Sequence, residues 1–153
     1  MHSFIQGSEA NPLAGVEVAV NVNTTDSFRL LTLRAKLVTS AAVANRFPHF
    51  QVVDQSGNIV HEIVTGVAQT AGVTTTYDLI TGSAAGAEWG VVNDGVAVMS
   101  LPDYWFPAGY KIITKTTALD VGDEWSSIVF TGLVGDEFEH LKLLERIAAQ
   151  YGA

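Results

Sequence analysis

The sequence predicts an all-β protein, an antiparallel β-sandwich or jelly roll of about eight strands followed by one C-terminal amphipathic α-helix. Three observations support this prediction. Apolar and polar residues alternate with a period of two through most of the chain, which is typical of half-buried strands. Turn-forming residues separate these segments at intervals of roughly 8–14 residues. The period changes to three or four residues only after residue 135.

The predicted strands follow one another with turns between them. They cover residues 15–22, 27–39, 46–53, 58–65, 73–80, 110–117 and 124–133, with one or two further strands inside 87–101. The clearest hairpin turns lie at residues 54–58 and 93–95, which are rich in Asp, Asn and Gly. In the long second strand, Phe28 and Leu30 are out of phase with Leu31 and the residues after it. We therefore expect a β-bulge or bend at that point.

The C-terminal segment has the pattern of a helix. Apolar residues recur every three or four positions from 137 to 150, Asp136 and Glu137 lie near the positive N-terminus, and Gly152 follows the last turn. We divide the chain into an N-terminal arm at residues 1–14, a β-sandwich domain at 15–134 and an appended helix at 135–153. The helix packs either on its own sandwich, which is the commoner arrangement, or on a neighbouring subunit.

Charged residues are scarce in this sequence. They make up 16% of the chain, whereas 48% of its residues are hydrophobic, and soluble domains carry about 25% charged residues. Because subunit interfaces are depleted in charge, we interpret this composition as burial of surface against other subunits. The alternative is a surface rich in Thr, Ser, Asn and Gln. The net charge of −8 argues against neutralising nucleic-acid phosphates. No apolar run reaches the ~20 residues of a membrane-spanning helix.

Candidate interface residues fall in two places. The first is an aromatic corner formed by Tyr104, Trp105 and Phe106. Adjacent aromatic side chains on a loop anchor protein interfaces or stack on sugars, and they also close the end of a sandwich core. The second place is the apolar face of the predicted helix, which consists of Phe138, Leu141, Leu144, Ile147 and Tyr151.

Residues that catalyse reactions or bind metals form no recognisable motif. The absence of cysteine excludes disulfides and thiolate chemistry. His49 and His61, on the two arms of the predicted hairpin, and nearby Glu62 are the best candidates for a metal-dependent jelly-roll enzyme. Two histidines on one hairpin are more often a surface pair. Acidic clusters at 120–124 and 136–139 would suit calcium, although acidic turns are common. We therefore predict no catalytic residues, no metal ligands and no cofactor.

Several segments resemble small structural proteins of tailed bacteriophages. They are residues 39–48, 51–60, 106–110 and 119–128. The similarity extends over roughly residues 27–131 and lies in the order of strands and turns rather than in a catalytic signature. It implies a jelly-roll or related β-sandwich that acts as a capsid decoration (cement) protein, a head fibre or a tail component, without catalytic residues. Decoration proteins of this kind commonly form trimers over capsid symmetry axes. The C-terminal helix lies outside the similar part.

Composition and resemblance together favour a structural virion protein of a tailed bacteriophage, most specifically a decoration protein on the capsid surface, assembled in the host cytoplasm. The expected partners are the major capsid protein or other virion proteins and further copies of the chain, with a trimer favoured. Neither nucleic acid nor a membrane is an expected partner. The alternative is a carbohydrate- or receptor-binding module of a phage tail or fibre that uses Tyr104, Trp105 and nearby acidic residues.

Overall fold

The chain folds into strands followed by one helix. The computed structural model describes residues 3–22, 25–82, 95–103, 105–135 and 137–152, and only the backbone of residues 137–143. Its elements are β1 (Ser3–Glu9), β2 (Ala19–Asn21), β3 (Ser27–Val38), β4 (Phe47–Val53), β5 (Ile59–Val64), β6 (Thr74–Thr81), β7 (Val96–Leu101), β8 (Lys111–Thr117), β9 (Glu124–Gly135) and α1 (Glu137–Tyr151). No helix in the described residues is long and apolar enough to cross a membrane.

The strands form two sheets. One has five strands in the order β1-β9-β3-β6-β7, and the other has four in the order β2-β8-β4-β5. The chain passes from one sheet to the other at every connection except β4–β5 and β6–β7. Without β7, this is the arrangement of a jelly roll, an eight-stranded sandwich of two Greek keys. The predicted β-sandwich with a C-terminal helix is therefore confirmed.

The core lies between the two sheets. Phe50 of β4 contacts Tyr77 of β6 and Trp125 of β9, with ring centroids 5.8 Å and 5.9 Å apart. Aliphatic residues surround these rings, and the predicted alternation along β3 places Leu33, Ala35 and Leu37 inside. Both sheets contribute side chains to this core, so the inner face of each sheet is shielded from water only when the other sheet covers it.

The bulge that the sequence predicts in β3 is present. The register between β3 and β9 shifts between the pairs Leu30↔Gly132 and Thr32↔Thr131, which leaves Leu31 as the extra residue. At this point the backbones come close, since a Cβ added to Gly132 would lie 2.7 Å from the carbonyl oxygen of Arg29. Glycine is therefore required opposite the bulge because any side chain would overlap the neighbouring strand.

The N-terminal segment differs from the prediction. Residues expected to form an arm instead form β1, which pairs antiparallel with β9 from Ser3↔Val134 to Glu9↔Ile128. The segment shows no clear alternation because Gly7 takes an inward position, where the ring of Phe130 occupies the space of a side chain. Pairing with a long neighbouring strand, rather than local pattern, makes this segment a strand.

The strand β7 also differs from the prediction, since it pairs parallel with β6 in an otherwise antiparallel sandwich. Residues 82–95 connect the two strands, and a parallel pair needs a connection of about a dozen residues or more. The predicted hairpin at 93–95 and the predicted strand residues 87–94 fall outside the described residues, apart from Gly95.

The predicted strand at 15–22 is shorter in the structure, where only the residues of β2 form a strand.

Replacing Gly132 by alanine should lower the free energy of unfolding by about 1–3 kcal/mol, because the new methyl group overlaps the backbone of β3. Chemical denaturation would measure the change. Val129→Ala on the exposed face of the same strand is the matched control and should change stability by only about 0.5 kcal/mol. Equal effects of the two substitutions would contradict this account of the bulge.

Candidate interaction surfaces

Four loops meet at one end of the sandwich, which we call the loop end. It consists of residues 10–18, 39–46, 65–73 and 118–123. Backbone hydrogen bonds join the loops: the N–H of Gly15 donates to the carbonyl of Asp123 at 2.7 Å, and the N–H of Gly72 donates to the carbonyl of Ser40 at 2.8 Å. The loop end is therefore one continuous surface made from segments that are distant in sequence.

A buried ion pair holds the loop end together. The side chains of Arg46 and Asp123 are fully buried and form a two-bond contact, Nε to Oδ2 at 2.9 Å and Nη2 to Oδ1 at 3.0 Å. Arg46 also donates to the carbonyl oxygens of Ala42 and Ala44, at 2.7 Å and 2.8 Å. The pair thus ties the loop at 39–46 to the loop at 118–123.

The backbone helps to keep Asp123 ionised. Burial opposes its charged form, but the Arg46 guanidinium and the backbone N–H groups of Asp120 and Ser40 outweigh burial and hold the pKa of Asp123 below its ordinary value. Backbone and side-chain hydrogen bonds from Gly122 and Ser40 likewise lower the pKa of Asp120. Two of the carboxylates considered as calcium ligands therefore accept hydrogen bonds from the protein itself.

Three large apolar side chains of the loop end are strongly exposed. Val43, Val121 and Leu13 are 97%, 84% and 81% exposed, and they lie on three different loops. Every charged side chain in these loops makes hydrogen bonds to other groups of the chain. These residues are Glu17, Arg46, Asp120 and Asp123. The loop end therefore presents aliphatic side chains on a rigid base while its charged groups are turned to internal partners. Sequence reasoning missed these residues, although the uncharged run at 41–44 marks one of the loops.

The helix leaves the sandwich at the opposite end. The strand β9 begins at Glu124, beside the loop end, and its twelve residues end at Gly135, about 36 Å away at ~3.3 Å per residue. Every residue from 144 to 152 is exposed, and Tyr151 is 86% exposed. Of the predicted helical interface residues, Leu144, Ile147 and Tyr151 are therefore open to solvent within this chain. The side chains of Phe138 and Leu141 fall outside the described part.

The aromatic corner divides between the core and the surface. Phe106 is only 3% exposed, its backbone bonds to that of Phe28 in both directions, and the two rings lie 5.7 Å apart. Phe106 therefore closes the core and is not available to a partner. Trp105 is half-buried, and Tyr104 lies outside the described residues.

The histidines of the metal hypothesis lie on different faces of their sheet. His61 is opposite the inward-facing Val52, whereas His49 is opposite the exposed Val64. The Oε1 atom of Glu62 lies 3.5 Å from Nδ1 of His49. Glu62 also accepts a hydrogen bond from the side chain of Gln51, and this bond lowers the pKa of Glu62. In the described part of the chain no three His, Asp or Glu side chains come together as a metal site. The hairpin therefore does not assemble the proposed trio of ligands.

Comparisons with known proteins give little further information. No protein-family model matches the chain, and no curated protein matches it. A chain in the solved structure of infectious bursal disease virus, Gx strain, is similar over 88% of this chain and 32% of its own length, with 10% identity and a TM-score of 0.36. This chain thus spans about a third of that neighbour. The fold assignment depends on the strand order itself and not on this likeness.

Asp123→Asn should lower the free energy of unfolding by about 3–5 kcal/mol, because it leaves the Arg46 charge buried without a counter-charge. Chemical denaturation at neutral pH measures this loss. Asp103→Asn is the matched control, since Asp103 is exposed and pairs with a partly buried Arg29, and its loss should cost at most about 1 kcal/mol. Similar losses for both variants would show that the buried pair does not organise the loop end.

Acid should weaken the same network. The pKa values of Asp120 and Asp123 are lowered in the folded chain, so their ionised forms favour folding over an unfolded state in which Asp titrates near ~3.9. Their stabilisation is complete above that value and is lost as the pH falls below it, toward the folded pKa values. Measured from pH ~6 to ~2, the Tm of Asp123→Asn should fall less than that of the unaltered chain. Parallel curves would contradict the assignment.

Proposed function

We propose that this chain is a structural protein of a virion, and specifically a capsid decoration (cement) protein of a tailed bacteriophage that binds the assembled head as an oligomer, with a trimer favoured. The observation that carries the proposal is the pair of exposed apolar surfaces at opposite ends of a jelly roll. A subunit that contacts copies of itself at one end and a protein shell at the other needs such an arrangement.

The helix supports self-association. Its fifteen residues are close to the ~12–15 below which an isolated helix is marginally stable in water. The exposure of its last two turns means that its own sandwich does not stabilise them. A neighbouring helix would bury Leu144, Ile147 and Tyr151, which the chain itself leaves exposed. We propose that this neighbour is the same helix in another copy.

The fold is compatible with the proposed role. Jelly rolls occur in viral capsid proteins and also in lectins and cupins, so the fold by itself does not select a function. The outward-facing apolar residues at both ends favour a subunit made for protein contacts. The resemblance to phage structural proteins over roughly residues 27–131 points the same way.

Purified particles of the virus that encodes this chain provide the direct test. The folded chain should be present in them at a fixed ratio to the shell protein, as measured by quantitative mass spectrometry. It should also bind assembled shells and not the free shell subunit. Absence of the chain from purified particles, or equal binding to free subunits, would refute the decoration role.

The double substitution Leu144→Glu and Ile147→Glu should convert the oligomer to a monomer, because it places charges where apolar side chains are proposed to meet. Light scattering coupled to size exclusion would measure the mass. The unaltered chain should have about three times the 16.3 kDa of one copy. Gln150→Glu adds negative charge to the same exposed segment and should leave the mass unchanged. A monomeric unaltered chain would refute helix-mediated assembly in solution.

A further inference from the structure

The loop end has the properties of the centre of a protein interface. Interface centres are apolar and depleted in charge, with charged groups confined to a rim. Here the three most exposed aliphatic side chains of the four loops project from a base whose charged groups have internal partners. An isolated exposed valine is ordinary, but three on adjoining loops form a defined surface.

The loop end is also rigid. Arg46 bonds to the backbone on both sides of Val43, through the carbonyls of Ala42 and Ala44. Asp120 accepts from the N–H of Gly122, so it closes a turn around Val121. Binding through these side chains would therefore require little ordering of the loops, and this ordering is one of the main costs of association.

Charge indicates the kind of partner. The chain carries a net charge of −8, and Glu17 and Asp120 lie in the same loops as Leu13 and Val121. Two copies meeting through their loop ends would bring like charges together, and an anionic lipid surface would be repelled in the same way. Basic and aromatic residues, which favour a membrane interface, are absent from the tips. The complementary surface is an apolar protein patch with a neutral or basic border.

The size of the surface indicates how that partner is presented. Stable pairwise interfaces use roughly 20–30 residues on each side, whereas the loop end offers three prominent tips and their neighbours. A single copy would bind weakly, and an oligomer would bind tightly only to a regular array of sites, because linked contacts act together. An assembled shell is such an array.

We infer that the loop end is the surface that docks onto the assembled shell, on an apolar protein patch with a neutral or basic border. This inference depends on the proposed function and adds the contact surface to it. Val43, Val121 and Leu13 are the contact residues. The helix, at the far end of β9, stays free to join copies while the loop end is bound.

The test uses particles assembled without this chain and the purified full chain, with binding measured by co-sedimentation. Val43→Asp combined with Val121→Asp should weaken binding by at least roughly tenfold, while its Tm and oligomer mass stay unchanged because both side chains are exposed. Val60→Asp combined with Val129→Asp is the matched control, since it places the same charges on exposed valines away from the loop end. Binding by the unaltered chain should persist from ~0.05 to ~0.5 M NaCl, as expected for apolar contacts.

Each result decides between the alternatives. Selective loss in the loop-end variant supports the inference, and full binding by that variant overturns it while leaving the decoration role intact. Failure of the unaltered chain to bind overturns both. Loss of self-association in the loop-end variant would identify a second copy as the occupant and also overturns the inference. If the double aspartate variant does not fold, the double serine variant at the same positions replaces it.

Discussion

The buried pair of Arg46 and Asp123 is the interaction on which the loop end depends. Removing two charges from water is costly, and a buried pair is tolerated only when further hydrogen bonds satisfy both partners. Here the carbonyls of Ala42 and Ala44 and the N–H groups of Ser40 and Asp120 supply those bonds. The same bonds hold loops that have no regular secondary structure. In the loops this polar cluster does what packing against the apolar core does for the strands.

The strand order separates the two exposed apolar surfaces. Because β9 runs from the loop end to the far end of the sandwich, the chain reaches its helix only after crossing the whole molecule. Contacts at one end therefore do not compete with contacts at the other. The sheet between them is antiparallel except for the pair β6–β7, and in the proposed role it would hold contacts with other copies apart from contacts with the shell.

Local pattern predicted the elements whose structure depends on neighbouring residues in sequence. The change of phase between Leu30 and Leu31 predicted the bulge, and the period of three to four predicted the helix. Local pattern does not predict the strand β1, because Gly7 contributes no side chain to the core. The ring of Phe130, far along the chain, fills that position instead. Local pattern does not predict the ion pair either, because Arg46 and Asp123 are 77 positions apart in the sequence. For Phe106 the sequence leaves an interface role and closure of the core open, because an aromatic run looks alike inside or outside.

The edge strand β5 and the outer face of the larger sheet carry features that discourage association through the sheets. The strand β5 is an edge strand with exposed Ile59 and Val60, and an open edge invites pairing with another chain. The register shift at Val52 and Val53 bends this edge, and Glu62 places a charge on it, two features that discourage such pairing. Arg34 and Asp78 form a two-bond ion pair across the outer face of the larger sheet. The sheets nevertheless keep exposed apolar side chains of their own, among them Phe4, Ile80 and Val129, so the register shift, the charge and the ion pair discourage pairing there, and not a lack of apolar surface.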